Sequence, residues 1–128
     1  MDWKKAGQAA SGNTMQTYDK LKEKWHAEKE ARRRMSDKMR QAVVMRGTPV
    51  FKKYNIKKAV LFGSVADGRS RETSDVDILV MPLPNQAYWD FMSDLEQSLE
   101  CFVDVYTQED DPEFVEKILA RGEVVYEI

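Results

Sequence analysis

Leu61-Phe62-Gly63-Ser64-Val65-Ala66-Asp67-Gly68-Arg69-Ser70-Arg71-Glu72-Thr73-Ser74-Asp75-Val76-Asp77-Ile78-Leu79-Val80 is the stretch on which the fold turns. It opens with the end of a short apolar run, Ala59 to Phe62, which predicts a buried strand stopped by Gly63. A turn-rich segment with Gly68, Ser70, Thr73 and Ser74 follows. The chain then re-enters a strand at Asp75-Val76-Asp77, which runs on through Val80 and ends at Met81-Pro82. Side chains alternate along a strand, so Asp75 and Asp77 are expected on one face, one pleat apart. Carboxylates so placed raise each other's pKa unless a cation sits between them. A hard divalent ion such as Mg²⁺, with oxygen ligands, is the natural solution.

Working outward, Tyr88 to Leu99 has helical spacing, and Cys101 to Thr107 alternates like a strand. Pro112 opens a further helix that Gly122 closes in the usual C-terminal manner, and Val124 to Tyr126 reads as a last short strand. The pattern is α/β (α+β) with a small mixed sheet. Asp104 lies between Val103 and Val105, where an unpartnered buried carboxylate is costly. If its strand pairs beside that of Asp77, three carboxylates converge, an arrangement suited to two metal ions. Gly63 permits close backbone approach, and the Ser64 hydroxyl with neighbouring N–H groups offers a phosphate cradle.

Upstream, residues 1–13 are small and polar and are expected to be flexible. Residues 14–46 lack Gly and Pro, and Tyr18, Leu21, Trp25, Met35, Met39 and Ala42 form a helical stripe. Gly47, Thr48 and Pro49 are expected to end that helix, leaving residues 47–128 as the main domain. A helix of about 33 residues would extend about 50 Å, too far for so small a core to cover. Glu28 and Arg32 also interrupt the stripe, so a break or partial exposure is expected there. The cluster of Lys29, Arg32, Arg33, Arg34, Lys38 and Arg40 admits three readings: a solvated face, a protein-docking surface, or phosphate contacts to nucleic acid. Nucleic acid is the least favoured of the three.

The 128 residues carry a formal net charge of −2, yet Met1 to Lys58 holds 16 basic and 6 acidic side chains while Ala59 to Ile128 holds 4 basic and 16 acidic. The two parts are therefore +10 and −12, which points to segments facing different partners. No apolar run is long enough for a membrane span, and the N-terminal residues lack the apolar core of a secretory signal. Cys101 is the only cysteine, which excludes an internal disulfide and makes a reducing cytoplasm the expected home. Its apolar neighbours mark it as a structural thiol. His26 has no second histidine to share a metal with, and Trp25, Tyr88, Trp89 and Phe91 read as packing groups. The methionines Met15, Met35, Met39 and Met45 suit an adaptable apolar stripe.

Gly63-Ser64, ten residues, then Asp75-x-Asp77 resembles the signature of the DNA polymerase β-like nucleotidyltransferase superfamily. The length and the ending Ile118-Leu-Ala-Arg-Gly-Glu-Val-Val-Tyr126 look like its minimal nucleotidyltransferase (MNT) members, of antitoxin type. That resemblance implies a palm-type fold and Mg²⁺-dependent transfer of a nucleoside monophosphate from a triphosphate such as ATP, with two ions. It implies Asp75, Asp77 and Asp104 as metal-binding catalytic residues. Gly63, Ser64, Gly68, Arg69, Arg71 and Ser74 would hold the nucleotide. One departure is Asp67, where many members carry Arg before the second Gly; Arg69 or Arg71 would then supply the charge. The resemblance also implies a HEPN-type protein partner, adenylylated or, in the alternative, merely masked by a chain whose nucleotide site is vestigial.

Overall fold

The computed structural model describes residues 10–70 and 75–128, with side chains described from Tyr18 onward. By its contacts the chain falls into two units, Met1–Ala31 and Arg32–Ile128. Helix α1 spans Ala10–Lys53. Then come β1 (Lys58–Phe62), the single turn α2 (Gly63–Ala66), β2 (Val76–Met81), α3 (Tyr88–Leu99), β3 (Val103–Tyr106), α4 (Pro112–Arg121) and β4 (Glu123–Glu127). The sheet order is β3-β2-β1-β4. β1 pairs antiparallel with β2 and β4, and β2 pairs parallel with β3, so the sheet is mixed as expected.

In the first unit the large apolar side chains among the described residues are exposed. Tyr18, Leu21 and Trp25 are 50%, 43% and 57% exposed, so the stripe there is a surface feature rather than a core face. His26 is exposed as well.

The second unit is organised by the two faces of the sheet. Ala59, Leu61, Ile78, Val80, Val103 and Val105 bury one face against Val43, Val50 and Phe51 of α1 and Phe91, Leu95 and Leu99 of α3. Phe51 is fully buried, its ring 6.3 Å from that of Phe91 and 5.3 Å from that of Tyr126. The opposite face is smaller: Val60 and Leu79 meet Ile118 of α4. Burial on both faces explains why β1 and β2 read as continuous apolar runs rather than alternating ones. Strand β3 lies at an edge, but two of its outer backbone groups are occupied. Glu96 Oε2 accepts the Val103 N–H at 2.9 Å, and the Tyr88 hydroxyl donates to Val105 O at 2.8 Å.

The expected stop at Gly47-Thr48-Pro49 does not occur, and α1 continues to Lys53 with Pro49 inside it. Proline there removes one helical hydrogen bond. The buried pair Val50 and Phe51 just beyond it supplies the compensation. Gly47 packs closely instead: a Cβ would lie 3.1 Å from Cζ of Phe51, so that ring would have to shift by a few tenths of an ångström. The true stop is Asn55, at φ 57°, where Asn55 N–H bonds Lys52 O and Ile56 N–H bonds Phe51 O at 2.9 Å. A left-handed Asn is a recognised substitute for Gly at this position. The helix also begins at Ala10, inside the stretch expected to be flexible; residues 1–9 lie outside the described residues.

Gly122 does close α4, but not through a left-handed conformation: its φ is −76°. It is needed for close approach, because a Cβ would sit 2.5 Å from Val60 Cγ1 and 2.7 Å from Ile118 O. At its other end α4 starts on Pro112 with Asp111 accepting the Glu113 N–H. Trp89 and Met45 are 73% and 76% exposed, so neither packs as the sequence suggests, whereas Phe91 does. Replacing Gly122 with Ala is expected to lower unfolding free energy by about 1–3 kcal/mol, as overpacking does. Urea denaturation of the variant measures it.

Candidate active site

β1 delivers the chain to Gly63, whose φ of +74° few other residues tolerate. A second constraint acts at the same atom, because a Cβ on Gly63 would collide with Oδ2 of Asp77. The glycine therefore does two things: it turns the strand into α2 and it lets a carboxylate lie against the backbone. The turn is closed by Asp67 N–H to Gly63 O (3.0 Å), Gly68 N–H to Val65 O (3.3 Å) and Arg69 N–H to Ser64 O (2.8 Å). The first N–H groups of such a turn have no partner within it and carry positive partial charge. Ser64 is half-buried at this end.

The strand register brings the carboxylates together. Phe62 is level with Asp77 in the β1–β2 pair, and Asp77 is level with Asp104 in the β2–β3 pair. Asp77 is half-buried and Asp104 exposed. Burial, then a hydrogen bond that the protonated Asp77 carboxyl donates to Asp104, and the charges of Asp104 and Asp75, push the Asp77 carboxyl up to about 6. Asp75 precedes β2 and is exposed. Among the described residues no three His, Cys, Asp or Glu side chains are placed as a ready metal cage. The close group is the Asp77–Asp104 pair, with Asp75 acting on it at longer range. Such crowding fits a divalent cation, which would relieve the repulsion and accept oxygen ligands. Asp77 and Asp104 would hold it.

The loop residues divide. Gly68 is in the left-handed region at φ 73°, with open space around it. Arg69 Nη2 is 2.8 Å from Asp67 Oδ2, so this arginine neutralises the aspartate that stands in the unusual position. Arg71 and Ser74 lie outside the described residues.

Beside the carboxylates, Phe62, Tyr106 and Phe114 form a ring cluster with centroids 5.2, 5.3 and 5.9 Å apart. On the β3 side, a cavity of about 350 Å³ is bounded by Tyr88, Asp104, Tyr106 and Asp110 among others. Cys101 lines a separate apolar cavity of about 210 Å³ with Met35, Met39 and Leu99. Burial, then Glu96 and Asp75, push its thiol up, which suits a structural thiol rather than a nucleophile.

Two residues escape sequence reasoning altogether. Arg40, grouped by sequence with a solvated basic cluster, reaches the carbonyls of Val65 and Ala66, and Ser36 accepts the Ser70 N–H. The one available signal is Ser36 itself, a polar residue at the helical spacing of the apolar face.

The raised Asp77 carboxyl has a pH consequence. A carboxyl that holds its proton more tightly when folded stabilises the fold at low pH, and that contribution is lost as pH rises through about 6. Without divalent metal, Asp77→Asn is therefore expected to melt higher than the parent chain at pH 7.5. The difference should vanish near pH 4, and thermal melts in a chelating buffer check both points.

Comparisons with known proteins agree with this geometry. The family model described as "Polymerase beta, Nucleotidyltransferase" matches residues 48–128. Among solved structures, a chain of a toxin–antitoxin complex with AMP-PNP is similar at 21% identity and TM-score 0.58, covering 66% of this chain and 73% of that one. A tri-AMPylated Shewanella oneidensis HEPN toxin in complex with MNT antitoxin matches at 19% identity and TM-score 0.52, covering 70% and 73%. A structure described as a minimal nucleotidyltransferase matches at 26% identity and TM-score 0.54, covering 70% and 92%. Comparison with curated proteins finds no match. With its glycine-led turn set against paired strand carboxylates, and the family model spanning most of its length, the chain belongs to the polymerase beta nucleotidyltransferase family.

Proposed function

We propose that this chain is an antitoxin-type nucleotidyltransferase that moves AMP from ATP onto a hydroxyl of a HEPN-type partner protein. The observation that carries the proposal is the Gly63–Asp77–Asp104 arrangement, a carboxylate pair in direct strand register abutting a glycine-led turn. The toxin–antitoxin structures of similar fold, one holding AMP-PNP and one an AMPylated HEPN toxin, support the choice of nucleotide and partner.

In this reading the acceptor oxygen bonds to the α-phosphorus as the bond to the departing pyrophosphate breaks. Asp104, the exposed member of the pair, faces the acceptor and its carboxylate takes the hydroxyl proton. Gly63 and Ser64 hold the triphosphate through backbone N–H groups and the Ser64 hydroxyl, and Gly68, whose own N–H closes the turn on Val65 O, lets the chain pass close by without a side chain. Arg71 and Ser74 are assigned to the same task from the motif alone. Magnesium, as two ions bound by Asp77, Asp104 and Asp75, would supply charge neutralisation for the triphosphate and a more acidic acceptor hydroxyl. Residues 1–31, whose described part is a charge-balanced helix with Tyr18, Leu21 and Trp25 exposed, are assigned to docking the partner. No helix among the described residues is long and apolar enough to cross a membrane, and a cytoplasmic setting is part of the proposal.

A second reading has its own observation. Arg69 is paired with Asp67 rather than free for a phosphate, which favours a chain that masks its partner without transferring anything. Labelled ATP, Mg²⁺ and the HEPN-type partner separate the two. Transfer predicts label in the partner and a loss of at least about 10³-fold in the Asp77→Asn, Asp104→Asn double variant, as for removal of charge-stabilising groups. Masking predicts no label, and neutralisation of the toxin that the double variant retains. Gly63→Ala is expected to abolish Mg·ATP binding without unfolding the sheet, because its Cβ displaces the Asp77 carboxylate; isothermal titration and circular dichroism measure the two effects.

A further inference from the structure

Helix α2 has four residues and no side-chain cap at its start. A single helical turn has no stability of its own, since nucleation fixes several residues for one hydrogen bond. Its shape must be imposed from outside. Two residues of α1, one turn apart and therefore on one face, reach the segment. Arg40 Nη2 lies 3.3 Å from Val65 O and 3.4 Å from Ala66 O, the carbonyls at the closing end of α2. Ser36 Oγ accepts the Ser70 N–H at 3.0 Å, and both serines are fully buried. The guanidinium is itself held, with Nη1 2.6 Å from Asp37 Oδ1 and Nε 2.5 Å from Glu123 Oε2.

These contacts define what Arg40 does. Two carboxylates neutralise it, and it meets α2 at the end away from Gly63, so it is no phosphate ligand. It ties the turn to α1 on one side and to the first residue of β4 on the other. We propose that Arg40 and Ser36 are positioning residues for the nucleotide: they hold the Gly63–Ser70 segment from behind and keep Gly63 and Ser64 against Asp77. The proposal rests on the reading of that site as a nucleotide site. It assigns the helix before the family motif a share in substrate affinity that the motif alone does not reveal.

The test uses the full chain and four variants: Arg40→Met, Arg40→Lys, Ser36→Ala and Glu123→Gln. Amide hydrogen exchange is read across the chain, and Mg·ATP binding and transfer kinetics are read alongside. Arg40→Met and Ser36→Ala are expected to speed exchange of the Gly63–Ser70 amides about tenfold, with the buried amides of β1 and β2 unchanged. The same variants should raise Kd and KM for ATP about tenfold and change kcat less than about threefold, the pattern of lost uniform binding. Arg40→Lys, which keeps the charge but not the fork, should recover part of the affinity. Glu123→Gln should stay within about twofold of the parent, because Asp37 still holds the guanidinium. Unchanged exchange in the Gly63–Ser70 segment overturns the proposal, as does faster exchange spread evenly over the sheet. Failure of the parent chain to bind Mg·ATP instead overturns the nucleotide reading, while the exchange data still decide whether the two residues hold the turn.

Discussion

The arrangement depends on one unfavourable contact that the fold enforces. Asp77 is placed by β2 against Gly63 on one side and Asp104 on the other, because its backbone is fixed in the middle of the sheet. The apolar groups that fix this geometry, Leu61, Ile78, Val103 and Val105, are buried in the core beneath it. Burial of that face stabilises the sheet far more than one crowded carboxylate destabilises it. The strain is thus held in place by hydrophobic packing, and it leaves two carboxylates crowded against each other. Stability and electrostatics are opposed here, and packing decides the outcome.

Much of this was legible in the residues, for identifiable reasons. The apolar runs at Ala59–Phe62 and Val76–Val80 and the helical spacing of Tyr88–Leu99 placed β1, β2 and α3 closely, because each satisfies local preference and burial together. The sequence left the Asp77–Asp104 pairing as a condition on strand order, which the parallel β2–β3 pair meets, with Asp75 standing outside the close pair. The helix end was misread because Gly47 and Pro49 are strong local stop signals that burial of Val50 and Phe51 overrides. Gly122 was located correctly for the wrong physical reason: close packing against Val60, not backbone sign, demands it. Arg40 and Ser36 were illegible because their partners lie 25 to 34 residues away and are backbone atoms, which carry no residue-type signature.

The charge split also takes on a more specific meaning. Several cations of the basic part face carboxylates of the acidic part inside the Arg32–Ile128 unit. Arg40 meets Glu123, Arg46 meets Glu100 at 3.4 Å, Lys53 meets Asp94 at 2.8 Å, and Lys58 meets Glu127 at 3.3 Å. Exposed pairs of this kind contribute about 0–1 kcal/mol each, so they add little stability. Their effect is on alignment, guiding the end of α1 across the sheet in one orientation. The polarity of the sequence is in part an internal complementarity between a helix and the domain it packs on.

The two occupied backbone groups on the outer edge of β3 restrict how any other molecule can approach. Sheet edges with free N–H and C=O groups invite strand addition, both by peptide ligands and by other copies. Here Glu96 and Tyr88 take the places that a fifth strand would need, and they do so from the helix packed behind the edge. Recognition by backbone zippering is disfavoured on the side where Asp104 lies, since it would have to displace both contacts. A macromolecule reaching that carboxylate must do so with side chains, by the shape and charge of its own surface. The same two contacts guard the shortest strand of the sheet against self-association.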